Sequence, residues 1–159
     1  MTKSPVDLTL TSPDETAAFA TRLGRHLRGG DCLLLDGPIG SGKTHFARSL
    51  IQSLLEVPED VPSPTFTLVQ TYDAPACEIW HADLYRLTSP DEIEELGLSE
   101  AFDTAITLVE WPDRLGELQP PTALHLSFAT HPTQTGLRAL TLSWTGGRWA
   151  DLLGRVIHA

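Results

Sequence analysis

"CLLLDGPIGSGKT", residues 32–44, is the stretch on which the fold turns. Its first part, "CLLL", is apolar without alternation, as expected of a short strand buried on both faces. The second part, "GPIGSGKT", Gly37–Thr44, matches the phosphate-loop pattern G-x-x-x-x-G-K-[ST] in full. Directly after it Phe46, Leu50, Ile51, Leu54 and Leu55 recur at helical spacing. Strand, glycine loop, helix is the context the motif requires, because loop and first-turn N–H groups must converge on phosphate oxygens at the positive helix end. Lys43 is then expected to reach the β- and γ-phosphates and Thr44 to place its hydroxyl on Mg2+. Pro38 has no N–H, so the donors must come from later loop residues. The expected nucleotide contacts are Gly37, Gly40, Ser41, Gly42, Lys43, Thr44 and His45, with Mg2+ beside the phosphates and the base left open by the motif. A plain glycine turn between strand and helix would need no lysine.

Working outward, a phosphate loop needs an acid from another strand to hold Mg2+ and a polar group to orient the attacking water. Asp36 merely enters the loop. Two other strand ends carry acids: "EIWHAD" ends in Asp83 and "ITLVE" in Glu110. Both would lie at the carboxyl edge of a parallel sheet, where ligand crevices open. Asp83 is expected beside Thr44 as the Mg2+ partner, and Glu110 as the water-orienting base or an acid one layer behind, though the two roles are interchangeable on this reasoning. Both acids, with Lys43, form the expected catalytic group; Thr44, Asp83 and Glu110 form the metal group. An ordinary surface carboxylate is the bland reading for each acid.

Ser63 and Thr65, in the proline-stiffened "PSPTF", are hydroxyls where γ-phosphate sensing or a plain turn role are both open. His81 reads as a donor to a carboxylate or partner, or as a satisfied, partly buried histidine. Arg86 could steady transferred charge, make a partner contact, or pair with the acidic "DEIEE" at 91–95. Trp111 is a core anchor or an aromatic that stacks a base or partner. As side chains, His26, His45, His125, His131 and His158 show no ligand spacing and read as structural.

"SPDE" occurs at 12–15 and 89–92, each offering a serine cap, a proline at the first helical position and a glutamate three residues on. The first helix carries Phe19, Leu23 and Leu27 and is expected to run to Gly29-Gly30; the second is a short acidic helix over Ser89–Leu96. "VPEDVPSP", residues 57–64, is a loop. "TFTLVQTY" and "CEIWHA" flank the turn "DAPA" as one hairpin. Leu124, Leu126 and Phe128 alternate in one strand, and Leu140, Leu142 and Trp144 in the next, as a second hairpin. "PDRLGEL" offers one or two helical turns, and the last residues, through Trp149, Leu152, Leu153 and Val156, an amphipathic helix. The expected fold is α/β: a P-loop NTPase-type mixed, mainly parallel sheet flanked by helices, with antiparallel hairpins, in one domain over residues 1–159.

Composition bounds the rest. A chain of 159 residues, 41% hydrophobic, suits one core rather than two. The net charge of -10 disfavours direct, dominant nucleic-acid binding. No apolar run approaches the roughly 18 residues of a membrane span, and "MTKSPVDLTLTSPDE" lacks a leader pattern, so a cytoplasmic location is expected. Cys32 and Cys77 show no metal or disulfide spacing and are expected to be reduced, buried and apolar in character.

"GPIGSGKT", "SPTFTLV", "HADLYRL", "ELGLSEAF" and "LVEWPDRL", in this order, resemble the bacterial TsaE (YjeE) family. The resemblance spans about Thr9 to Leu115 and is only general beyond. It implies a P-loop ATPase of tRNA threonylcarbamoyladenosine biosynthesis that drives turnover of the TsaB and TsaD proteins, with tRNA held mainly by those partners. It also implies that Asp83 of "HxDLYR" is associated with Mg2+, that Glu110 and Trp111 act near the nucleotide, and that Ser63, Pro64, Thr65 and Phe66 form a switch-like neighbour of the γ-phosphate. The family usually has Asp-Leu where Pro38-Ile39 stands and alanine at Ser41, so no role of a loop aspartate carries over.

Two other classes share the phosphate loop. A small-molecule kinase would need an acceptor pocket and usually an arginine-rich lid, yet only Arg86 and Arg114 lie near the later motifs. In a nucleotide-dependent binding module, hydrolysis would be incidental. No guanine-reading NKxD occurs.

Overall fold

A computed structural model describes residues 4–57, 59–64, 68–89, 91–131, 133–134 and 137–157. Among them seven strands form one sheet: β1 (Val6–Leu10), β2 (Cys32–Asp36), β3 (Val69–Asp73), β4 (Glu78–Asp83), β5 (Ile106–Glu110), β6 (Leu124–Thr130) and β7 (Arg138–Ser143). The helices are α1 (Pro13–Gly24), α2 (Lys43–Leu54), α3 (Asp91–Leu96), α4 (Leu98–Thr104) and α5 (Gly147–Ile157), with a 3-10 segment over Pro112–Leu118. The strand order is β1-β7-β6-β2-β5-β4-β3. β2 runs parallel to both β5 and β6, and β4 runs parallel to β5, so the sheet centre is parallel. The outer pairs β3–β4, β6–β7 and β1–β7 are antiparallel. This is the expected α/β architecture, with both expected hairpins.

β2 is apolar throughout because both its faces are covered. Leu33 and Leu35 pack with Phe19, Phe46, Leu50 and Leu153 from α1, α2 and α5. Leu34 and Cys32 pack on the other side with Ile93, Leu98 and Leu115. β6 is covered on one side only: Leu124, Leu126 and Phe128 are buried while His125 and Ser127 are exposed, hence its alternation.

Helix starts follow the capping chemistry. Ser12 caps α1 by accepting the Glu15 N–H at 3.1 Å, and the Glu15 carboxylate accepts from the Thr11 N–H at 3.0 Å. α1 ends at Gly24, short of the expected Gly29-Gly30. His26 and Leu27 donate to Leu23 and Gly24 at 3.1 and 3.2 Å. These i to i−3 bonds tighten the exit and still leave Leu27 packed on the core, so its spacing imitates a longer helix. The acidic helix is present as α3, with Pro90 outside the described residues. Gly97, at φ 81°, separates it from the unforeseen α4.

Both cysteines are free, but Cys77 is partly exposed rather than buried. Burial pushes the Cys32 thiol up to about 12, with Asp31 adding to the rise and Thr107 opposing it. At pH 8 a thiol reagent is therefore expected to modify Cys77 alone in the folded protein and both cysteines in urea, as counted by mass spectrometry. No helix among the described residues is long and apolar enough to cross a membrane.

Candidate functional site

The parallel strands β2, β5 and β4 end on one edge, and α2 begins there, directly after the glycine loop. Gly37 turns the chain at φ 146°; a Cβ on it would meet the Phe128 carbonyl oxygen of β6 at 2.6 Å. Gly37→Ala must move backbone, so it is expected to lower stability by about 2 kcal/mol or more in urea unfolding.

Beyond the loop, Lys43 is buried and its Nζ donates to the Gly37 carbonyl. Nζ also lies 3.7 Å from the centre of the Trp111 ring, a close cation–π contact. Burial pushes the Lys43 ammonium below its usual range, against the opposing pull of Glu110, Asp36, Asp83 and Asp113. Next to it, Thr44 Oγ1 donates to Glu110 Oε1 at 2.9 Å.

Residues alternate along a strand, which decides what faces α2. Ile106 and Leu108 of β5 belong to the core beneath α2, so Glu110 emerges on that side. On β4 the same parity gives Ile79, His81 and Asp83, and Asp83 stands in register with Glu110. Both acids are buried, at 6% and 2% exposure. Asp83 Oδ1 accepts the Tyr85 N–H at 3.0 Å, and the second Glu110 oxygen lies 2.7 Å from His81 Nε2. Trp111 takes a left-handed conformation, φ 59° and ψ 55°, that brings its ring over Lys43 and within 4.9 Å of the Tyr85 ring.

Together these groups line a cleft of about 550 Å³. Of the expected residues, its wall includes Gly40, Ser41, Gly42, Lys43, Thr44, His45, Asp83, Glu110 and Trp111; Gly37 sits just behind, as the acceptor for Lys43. The His45 ring turns away, Nε2 lying 2.9 Å from the Pro13 carbonyl, so its side chain is structural, as expected. Thr65 lies outside the described residues. Arg86 joins the wall. Sequence reasoning missed Arg138, whose Nη2 donates to the Gly40 carbonyl at 3.3 Å from the start of β7. No local pattern marks it, since the contact spans 98 positions.

The amino end of α2 suits an anion. Gly42 caps it without a side-chain hydrogen bond, and its first turn holds no acid. The Ser41 hydroxyl there is fully buried without a hydrogen-bond partner among the described residues. The paired Thr44 and Glu110 oxygens are hard donors of the kind Mg2+ prefers. That set suits a cation that keeps waters and takes phosphate oxygens.

Residues 10–138 match the family model "Threonylcarbamoyl adenosine biosynthesis protein TsaE". A tRNA threonylcarbamoyladenosine biosynthesis protein TsaE from Rickettsia bellii is 42% identical over 118 residues, covering 74% of this chain and 82% of the relative. Its counterpart from Bacillus subtilis is 36% identical over 116 residues, 72% of each chain. The crystal structure of Bacillus subtilis YdiB superposes with a TM-score of 0.79 at 27% identity, covering 99% of this chain and 97% of that one. With its G-x-x-x-x-G-K-[ST] loop, its two strand-end acids and a match over residues 10–138, the chain belongs to the TsaE family of threonylcarbamoyladenosine biosynthesis proteins.

Proposed function

We propose that this chain binds ATP with Mg2+ and hydrolyses it, slowly alone and faster in the presence of TsaB and TsaD, driving turnover of that complex during tRNA threonylcarbamoyladenosine formation. The observation that carries the reading is the hydrogen bond from Thr44 to buried Glu110, beside Lys43 in the cleft at the parallel strand ends. The contact also favours an exchange of the roles first given to the acids. Glu110 touches the phosphate-loop hydroxyl, so it is the acid that shares Mg2+ with Thr44. Asp83, anchored through the Tyr85 N–H, orients the attacking water.

Bound there, Mg2+ would draw charge from the phosphate oxygens. Lys43 would leave the Gly37 carbonyl for the β- and γ-phosphates, while first-turn amides of α2 hold their oxygens. Trp111 shields the lysine from water, and Arg138 braces the loop through Gly40. With a net charge of -10, the chain would leave the tRNA mainly to its partners.

Purified protein should release phosphate from ATP slowly, and at least about tenfold faster once TsaB and TsaD are added. A folded protein that binds no adenine nucleotide with Mg2+ present sinks the reading.

A further inference from the structure

His81 lies wholly buried on β4, beneath the cleft rather than in it. Its Nε2 is 2.7 Å from Glu110 Oε2, while its Nδ1, also buried, has no hydrogen-bond partner among the described residues. A carboxylate only accepts, so the proton of this bond belongs to Nε2. Glu110 is thereby gripped at both oxygens, by His81 on one and by Thr44 at 2.9 Å on the other. A glutamate at a strand end has three rotatable side-chain bonds, and these two contacts leave it one arrangement.

We propose that His81 is a positioning residue for Glu110: by holding Oε2 it turns Oε1 toward Thr44 and so sets the geometry in which the pair receives Mg2+. The inference rests on reading the cleft as a Mg2+–nucleotide site. Ligand-orienting partners of this kind change metal affinity or activity by about 10–100-fold when lost. A histidine that only filled space would be replaceable by any apolar side chain of similar volume.

The decisive comparison is His81→Leu, which keeps volume and loses the donor, against His81→Gln, whose amide N–H can take the place of Nε2–H. ADP affinity is measured by calorimetry with Mg2+ and with EDTA, alongside kcat and KM for ATP. In His81→Leu the gain in affinity from Mg2+ should shrink about tenfold or more and kcat should fall by about 10–100-fold, while the affinity in EDTA stays within about twofold. His81→Gln should keep most of both. If the leucine variant retains the Mg2+ gain and kcat, or if the glutamine variant fails as badly as the leucine one, the assignment is wrong. Should His81→Leu lose its cooperative thermal transition, His81→Met takes its place in the same comparison. Wild-type protein that binds no ADP under either condition would defeat the nucleotide reading itself, a result distinct from a failure of the positioning role.

Discussion

Replacing Lys43 with alanine is expected to leave a folded protein whose ATP hydrolysis falls by about 10³-fold and whose ATP affinity drops at least about tenfold. The loss of activity follows from charge. Lys43 is the cation rooted in the glycine-rich loop itself, and its burial makes such a charge count for more than it would in bulk solvent. Retention of the fold follows from the same burial. The ammonium is held below its usual range by desolvation, so the folded state gains little from carrying it, and its contacts are the Gly37 carbonyl and the Trp111 ring within the cleft. Thermal unfolding should therefore shift by only a few degrees. Full activity in Lys43→Ala would mean that the loop does not handle the transferred phosphate.

The second large effect separates the two acids. Glu110→Gln should lower hydrolysis by about 10²–10³-fold and abolish the improvement that Mg2+ brings to ADP binding. Asp83→Asn should keep that improvement and lose hydrolysis by about 10²–10⁴-fold, as expected when a water-orienting base is neutralised. Titration calorimetry with Mg2+ and with EDTA, beside single-turnover hydrolysis, distinguishes them; the opposite pattern would return Mg2+ to Asp83. The glutamine variant should also lose about 1–3 kcal/mol of stability, because Thr44 and His81 both hold the carboxylate and an amide offers only one oxygen.

Much of the candidate site's geometry is legible in the sequence, for physical reasons. The phosphate loop announces itself because its glycines, lysine and hydroxyl are consecutive and the strand before it is apolar on both faces. Asp83 and Glu110 could be picked because each follows an apolar run. Which acid meets Thr44 could not, since that depends on β5 being the immediate neighbour of β2 and β4 lying one strand farther out. The sequence leaves both readings of His81 open, because its partner is 29 positions away on another strand. Arg138 gave no signal at all. In the fold, β1 was missed: among the described residues it pairs only with β7, as the outermost strand, and its residues are largely half-buried or exposed. α4 was missed because Gly97 breaks the run from "DEIEEL" to "LSEAFDT" into two short helices, neither long enough to show a full period.

The left-handed turn at Trp111 has one further consequence. Two neighbouring residues at the end of β5 each touch one of two neighbouring residues at the start of α2: Glu110 on Thr44, and Trp111 on Lys43. Both contacts hang on a single backbone joint, so their free energies are not separable quantities. A double substitution that spans the joint should fall short of, or exceed, the sum of its parts, and the four side chains are better counted as one mechanical unit than as two bonds.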